Sequence, residues 1–298
     1  MTDAQIKQLV DLTYSGGVKG IYNVYHYTTD EITDYILAKN DVCLKMTKIE
    51  YFEDKYEGKT IEVYYDLALE KLLKNKKISQ SIYELLTKIR VPEKNFYITQ
   101  NVVGIQTFTS MDSDVYIACF SKNKNDQYMV QNYIKNIDHV GYCLDFYYSE
   151  LESNEITQNL SMGFFLKMIP VKYGSQIIDE LYDFIDQLLS IPDNADENYI
   201  LQWAKGLIET KLNELKYATK LGKFNQENEI RLVLSVPKGW LSYMDKPEYF
   251  APFKNESGCI IKLPKHTIHG INKSPNLSDL EDKKWRDLFK QRGYKFLY

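Results

Sequence analysis

The sequence predicts an α+β fold, in which residues 1–298 form one domain with a mixed, mainly antiparallel β-sheet and helical insertions near residues 60–91 and 175–221. Two observations favour this fold. Short runs rich in β-branched and aromatic residues lie among amphipathic segments of helical period. No repeat, low-complexity segment or linker-like stretch divides the chain, so one domain is the simplest organisation.

The predicted strands are runs in which valine, isoleucine, tyrosine and phenylalanine dominate. NEIRLVLSV, residues 228–236, is the most convincing of them. The other predicted strands are IYNVYHYT, VCLKM, VVGIQTFTS, VYIACFS, YCLDFYY, GFFLKMIPVKY, GCIIKLP and IHGIN.

Helices are predicted where apolar residues recur at helical spacing behind a capping residue. TTDEITDYILAKN is a short helix with a cap among its first three residues and an end near Asn40. NDQYMVQNYIKNI is a helix capped by Asn125 or Asp126. The remaining predicted helices are a short one at residues 2–14, two in residues 61–89, two at about 176–191 and 197–220, and a C-terminal one in LSDLEDKKWRDLFKQRG.

Composition narrows the class of protein. The chain has a net charge of −4, which argues against a general electrostatic grip on nucleic acid. Its four cysteines form no CxxC pair and stand in apolar surroundings, so we expect buried thiols in a reducing cytosol. No run has the pattern of a secretion signal or the length of a membrane span. We therefore predict a cytoplasmic, bacterial protein without a membrane partner.

Two glutamates stand at the entry to the most convincing strand, in FNQENEIRLVLSV. Residues i and i+2 point to one face of a strand, so Glu227, Glu229 and Arg231 are predicted to line one edge of a cleft. Like charges held together are unfavourable unless solvent, Arg231 or a ligand offsets them. The alternative interpretation is an exposed strand face with a structural Glu–Arg pair, because such pairs are common at surfaces.

His26 stands between Tyr25 and Tyr27, where a strand leads into a helix whose N-terminus could bind an anion. The alternative is a structural histidine packed among aromatic residues. His266 and His269 have a spacing that could hold a metal, but no third ligand stands nearby in the sequence. A zinc site is therefore not predicted there.

Several motifs occur together in a characteristic order: YHYT at residues 25–28, ACFS at 118–121, an M…Y…G.CL.F pattern from Met129 to Phe146, and ENEIRL at 227–232. Over nearly the full chain, their order and spacing resemble a widespread bacterial family that is classed as a domain of unknown function.

A first strand bearing His-x-Thr, a short helix, a second strand and a late strand entered through Glu-x-Glu are similar to the ADP-ribosyltransferase superfamily. That resemblance implies that NAD is the substrate. It implies that His26 holds a ribose and that Thr28 is a further cofactor-binding residue. It also implies that Glu229 is the catalytic carboxylate and that Glu227 orients the acceptor. It also implies that His26 and Glu229 line the same hollow.

The resemblance extends to further candidate binding residues. The aromatic residue that stacks on nicotinamide is one of Tyr27, Tyr128 and Tyr133. Ser121 stands where related enzymes carry a serine on a strand, and Arg231 accompanies the catalytic glutamate. Breaking the nicotinamide–ribose bond develops positive charge on the sugar, which a fixed carboxylate stabilises.

These features predict an NAD-dependent ADP-ribosyltransferase-like or NAD glycohydrolase-like enzyme, of the kind that serves as a toxin or phage-defence effector. The acceptor, whether protein, nucleic acid or water, stays open. The alternative is a non-catalytic nucleotide- or protein-binding regulatory domain. A weaker third interpretation is a metal-dependent hydrolase or nuclease that uses Asp54, Glu57, Glu227 and Glu229. Asp54 and Glu57 are better explained as caps of the following helix.

Overall fold

A computed structural model of the chain describes residues 22–52, 60–91, 95–100, 106–124, 126–134, 141–152, 165–192, 195–239, 250–252, 257–273 and 279–297, together with residues 2, 4, 5, 7 and 8. The chain falls into two compact units. The first unit comprises Met1–Lys19, Asp54–Asp112 and Val171–Phe224. The second comprises Gly20–Glu53, Ser113–Pro170 and Asn225–Tyr298. The assignment of the whole chain to one domain stays a prediction.

The helices are α1 (Asp30–Ile36), α2 (Ile61–Lys74), α3 (Gln80–Leu86), α4 (Gln127–Tyr133), α5 (Tyr148–Glu152), α6 (Ser175–Ser190), α7 (Glu197–Tyr199), α8 (Lys205–Lys216) and α9 (Asp279–Gln291). A π-helical segment, Ile200–Ala204, joins α7 to α8. No helix among the described residues is long and apolar enough to cross a lipid bilayer.

The strands are β1 (Asn23–Thr29), β2 (Val42–Lys48), β3 (Asn95–Gln100), β4 (Gln106–Met111), β5 (Ser113–Ser121), β6 (Gly141–Tyr147), β7 (Phe165–Pro170), β8 (Lys172–Tyr173), β9 (Thr219–Lys220), β10 (Glu229–Pro237), β11 (Phe250–Pro252), β12 (Gly258–Leu263) and β13 (Ile268–Lys273). The predicted strands are found, and β3, β9 and β11 are additions to them; β9 occupies residues that were predicted as the end of a helix.

The first unit is mainly helical, and it contains the predicted insertions. Its core is formed by the apolar faces of α2, α3, α6 and α8. On α6 the buried residues recur at helical spacing, from Ile177 through Leu181 and Ile185 to Leu188, as an amphipathic helix requires. The unit also holds the antiparallel pair β3–β4 and the short parallel pair β8–β9.

The second unit is built on one sheet of nine strands, all paired antiparallel. One path through the sheet runs β11-β12-β2-β5-β1-β6-β13, and β10 and β7 extend from β5. The predicted fold class, α+β with a mainly antiparallel sheet, is confirmed.

Strand β5 lies at the centre of this sheet, and two other strands, β1 and β2, share one of its edges. Strand β10 pairs with β5 over its whole length, so both β1 and β2 must pair with the other edge. There β2 pairs at Tyr116 and Ile117, whereas β1 pairs at Ser121. The two strands therefore diverge beside residues 118–120 of β5.

Two helix starts differ in how they are capped. The Asp126 side chain accepts a hydrogen bond from the Tyr128 amide at 2.8 Å, as one of the two predicted caps of α4. The N-cap of α1 is Thr29, but its side chain makes no capping hydrogen bond. Helix α1 also ends before the predicted Asn40, because Leu37 already forms a β-bridge with Val42.

Candidate functional site

Four side chains form a row across the sheet of the second unit. Tyr25 of β1 pairs with Asp145 of β6 on one side and with Ser121 of β5 on the other. Ser121 pairs in turn with Glu229 of β10. Cross-strand partners lie on the same face of a sheet, so these four side chains face the same way. We call Asp145, Tyr25, Ser121 and Glu229 the polar row.

Glu229 and Arg231 form a buried ion pair at one end of the polar row. Arg231 Nε donates to Glu229 Oε1 at 2.7 Å, and Arg231 Nη2 donates to Oε2 at 3.4 Å. The exposed fractions of the two side chains are 4% for the glutamate and 1% for the arginine. The guanidinium also lies 5.8 Å from the centre of the Phe52 ring, within cation–π range. The Glu–Arg pair considered in the sequence therefore forms, but it is buried rather than exposed.

Glu227 reaches the same region from the turn before β10. It belongs to a 3₁₀ segment, and Asn228 after it has a positive φ of 43°, so strand alternation does not apply to Glu227. Its buried carboxylate accepts a hydrogen bond from the Tyr133 hydroxyl at 3.2 Å. The Ser121 hydroxyl donates to the Glu227 carbonyl at 2.9 Å and thereby fixes the turn to β5.

This end of the site holds two buried carboxylates and one guanidinium. A carboxylate in a low-dielectric setting attracts positive charge more strongly than one in water. Carboxylates that the fold already holds in place therefore suit a ligand that becomes positively charged. The predicted residues Glu227, Glu229, Arg231, Ser121 and Tyr133 are thus brought together.

Tyr27 and Thr28, both predicted to bind the cofactor, are instead buried. The Tyr27 hydroxyl donates to the Asn123 carbonyl at 2.7 Å and accepts from the Asp126 amide at 2.9 Å. Its ring packs against Met129, and burial raises the pKa of its phenol strongly. Tyr27 therefore anchors the segment before α4, and its ring is not open for stacking on a ligand.

Of the three tyrosines considered for stacking, Tyr133 is the most open. Its side chain is exposed at the end of α4, and its hydroxyl already contacts Glu227. Tyr128 is half-buried and packs with the cluster around Tyr27. The structure therefore favours Tyr133 among the predicted aromatic residues.

His26 lies on the opposite face of the sheet from Glu229. Side chains alternate between the two faces along a strand, and Tyr25, the residue before His26, belongs to the polar row. The His26 ring lies 5.7 Å from the ring of Phe120, which points away from Ser121 by the same alternation. The predicted hollow lined by both His26 and Glu229 is therefore contradicted. A shift of one residue in the register of β1 would move the His26 side chain to the other face of the sheet.

The His26 imidazole occupies the place where β1 and β2 diverge. Its Nδ1 lies 2.9 Å from the carbonyl oxygen of Cys119. A carbonyl can only accept, so Nδ1 carries the proton and Nε2 is the acceptor. Burial lowers the pKa of His26, and this hydrogen bond opposes the shift only in part, so the ring is neutral at pH 7. This contact supports the structural interpretation of His26.

The other end of the polar row holds a further buried carboxylate. Asp145 has a side-chain exposed fraction of 2%, and its Oδ2 lies 3.3 Å from Nδ1 of His269. Burial raises the pKa of Asp145 more than the contact with His269 lowers it. Burial raises the pKa of the Tyr25 phenol as well, and the Asp145 charge adds to that shift.

Asp145 and Tyr25 were not identified from the sequence as site residues. The signal for Asp145 was present, since one acidic residue stands inside the apolar run YCLDFYY. The pairing that sets it beside Tyr25 could not be read from the sequence. Asp54 and Glu57, the other carboxylates considered above, lie outside the described residues.

Within the described part of the chain, no group of three or more His, Cys, Asp or Glu side chains could hold a metal ion. Comparisons with protein-family models, curated proteins and solved structures find no match to this chain. The two family resemblances therefore stay predictions.

Proposed function

We propose that the polar row binds NAD or a closely related nucleotide, and that the chain cleaves its nicotinamide–ribose bond. The observation that carries this proposal is the pair of buried carboxylates, Glu227 and Glu229, with Arg231 on one of them and solvent-exposed Tyr133 on the other. Cleavage of this bond develops positive charge on the ribose, and carboxylates already in place stabilise that charge without reorganisation.

Each group has a distinct role in this reaction. Arg231 holds Glu229 through two hydrogen bonds, so the carboxylate keeps one orientation. Glu227, whose oxygen accepts from the Tyr133 hydroxyl, orients the incoming acceptor. The Tyr133 ring offers a face for the departing nicotinamide. The products are nicotinamide and an ADP-ribosyl group carried by a protein, a nucleic acid or water, as in a toxin or phage-defence effector.

The test is release of nicotinamide from NAD, followed by chromatography, for the wild-type chain and three variants. Glu229→Gln and Glu227→Gln should each lower the rate by about 100-fold or more, the effect of losing one preorganised electrostatic group. Glu84→Gln is the matched control because Glu84 is exposed on α3 of the first unit, and its rate should equal that of the wild type. Absence of nicotinamide release by the wild type, with no NAD-induced rise in melting temperature, would refute the proposal.

A second candidate function is a non-catalytic nucleotide- or protein-binding regulatory domain. The observation that favours it is that both oxygens of Glu229 already accept hydrogen bonds from Arg231. A carboxylate engaged in this way holds the fold together. This alternative predicts that NAD raises the melting temperature without any nicotinamide release, and that Glu227→Gln leaves the NAD affinity unchanged.

A further inference from the structure

A second cluster of polar and aromatic side chains surrounds Asp145, at the edge of the sheet formed by β6 and β13. It comprises Asn23, Asp145, Tyr147 and His269. Asn23 pairs with Tyr147, and Tyr25 pairs with Asp145, so Asn23 and Asp145 share the face of the polar row. This cluster has no part in the carboxylate chemistry proposed above.

A β-bulge brings His269 into this cluster. Ile268 pairs with Phe146 and Gly270 pairs with Asp145, so His269 is one extra residue between two adjacent pairs. Such bulges redirect a side chain and are frequent beside active sites. Here the bulge places the imidazole next to Asp145, 5.0 Å from the ring centre of Tyr147.

The contacts of His269 fix which of its nitrogens accepts a hydrogen bond. Nδ1 lies 3.3 Å from Asp145 Oδ2 and 3.2 Å from the Asn23 amide nitrogen. An ionised carboxylate can only accept and an amide nitrogen can only donate, so Nδ1 and the Asn23 amide both donate to the Asp145 carboxylate, where the hydrogen bond from Asn23 favours the ionised form. Nε2 is therefore the acceptor, and it has no hydrogen-bond partner within the described part of the chain.

The side chains of this cluster differ in how deeply they are buried. Asp145 is the buried positioning residue, and its Oδ1 has no hydrogen-bond partner among the described residues. His269 and Tyr147 are open, with exposed fractions of 38% and 37%. The Asp145 carboxylate thus orients the His269 imidazole, and the acceptor nitrogen Nε2 is available beside the exposed ring of Tyr147.

We propose that Tyr147 and His269 form a subsite for a nucleoside, with the base stacked on Tyr147 and a ribose hydroxyl donating to His269 Nε2. Aromatic rings bind any base through its π-face, and a neutral imidazole nitrogen accepts from a hydroxyl. The inference rests on the proposed function and deepens it, because it assigns the adenosine half of the nucleotide to this end of the polar row.

The spacing of the row agrees with an elongated ligand. Asp145 and Glu229 are three strand spacings apart, about 14 Å at roughly 4.8 Å per strand. A mononucleoside cannot contact both ends over such a distance. A dinucleotide carries two ribosyl rings joined by a pyrophosphate, so one half meets Glu229 while the other half meets His269.

The test is calorimetric titration of the full chain with AMP, nicotinamide mononucleotide and NAD. Tyr147→Ala should weaken AMP binding by about tenfold or more, as loss of a stacking residue does. His269→Ala should weaken it by up to about tenfold, as loss of one hydrogen bond does. Binding of nicotinamide mononucleotide should not change in either variant. Tyr147→Phe keeps the ring and should retain AMP affinity, which distinguishes stacking from a loss of structure.

His266→Ala is the matched control. His266 is an exposed histidine three residues before His269, and it pairs with Glu150 rather than Asp145. Its removal should leave AMP affinity unchanged. The subsite is overturned if AMP does not bind, or if His269→Ala and Tyr147→Ala bind AMP as the wild type does.

The subsite and the proposed cleavage can fail separately. If nicotinamide release depends on Glu227 but His269→Ala does not change the AMP affinity, the proposed cleavage is supported and the subsite is overturned. AMP binding that depends on His269 in a chain that releases no nicotinamide would support the subsite and refute the cleavage.

Discussion

Glu180 in the first unit is a partly buried carboxylate and Asp145 in the second is a buried one, and their surroundings shift their pKa in opposite directions. Burial alone would raise the pKa of Glu180. Lys211 and Lys172, which lie 2.7 Å and 3.1 Å from its two oxygens, outweigh burial and lower it. The Asp145 side chain is less exposed, and burial raises its pKa more than the contact of its carboxylate oxygen with His269 lowers it.

The difference separates a structural carboxylate from a candidate functional one. Glu180 already has two cationic partners within the fold. The second unit instead buries Asp145, Glu227 and Glu229 in and beside one row. Buried carboxylates gathered in one place are typical of sites that act on a ligand. Under the proposed function, the helical unit uses its charges for stability, whereas the sheet unit uses part of its charge for ligand binding.

The largest expected effect contrasts one ion pair in each unit. Arg231→Met should lower the free energy of unfolding by about 3–5 kcal/mol, because Glu229 stays buried without its guanidinium. Lys211→Met should cost about 1 kcal/mol or less, because the pair is partly exposed and Lys172 remains beside Glu180. Urea denaturation followed by circular dichroism measures both.

The double variant Arg231→Met/Glu229→Gln is the control for this contrast. Removing both charges should restore much of the lost stability, since replacing a buried pair costs less than breaking it. Equal losses for Arg231→Met and Lys211→Met would contradict the contrast between the units.

A smaller effect contrasts one glycine in each unit. A Cβ at Gly258 would overlap the backbone carbonyl oxygen of Met46 in the paired strand, and a backbone atom cannot rotate away. Gly258→Ala should therefore cost about 1–3 kcal/mol, the usual range for overpacking. A Cβ at Gly206 in α8 would meet no atom within 4 Å, so Gly206→Ala should stabilise by about 0.5–1 kcal/mol. Melting temperatures that move in the same direction would show that the two sites are packed alike.

The smallest effect is the pH dependence of the two carboxylates. For Glu180 the folded pKa is lowered, so its contribution is present above the unfolded value of about 4.3 and is lost as the pH falls. For Asp145 the folded pKa is raised, so its contribution is present below about 3.9 and is lost as the pH rises through the folded pKa. The measurement is the free energy of unfolding of the wild type, Glu180→Gln and Asp145→Asn from about pH 3 to 7. The difference between the wild type and Glu180→Gln and the difference between the wild type and Asp145→Asn should change with pH in opposite directions. Parallel slopes would mean that the two environments do not differ.

The local elements of the fold follow from the sequence. The strand Glu229–Pro237 and the helix Ser175–Ser190 are found close to where residue pattern predicts them, because period and capping act within a few neighbours. That Glu229 and Arg231 share a face follows in the same way, since both belong to one strand. An exception is Tyr148, which was predicted to continue a strand and instead begins α5.

The site depends on pairing between distant segments, which the sequence does not encode locally. Register between β1 and β5 places Tyr25, not His26, beside Ser121, and register between β1 and β6 adds Asp145. Shifting either pairing by one residue would reverse every side chain on the strand at no cost in local propensity. The tertiary structure therefore decided which residues meet, because burial of a whole sheet face selects one register and residue pattern within a strand cannot.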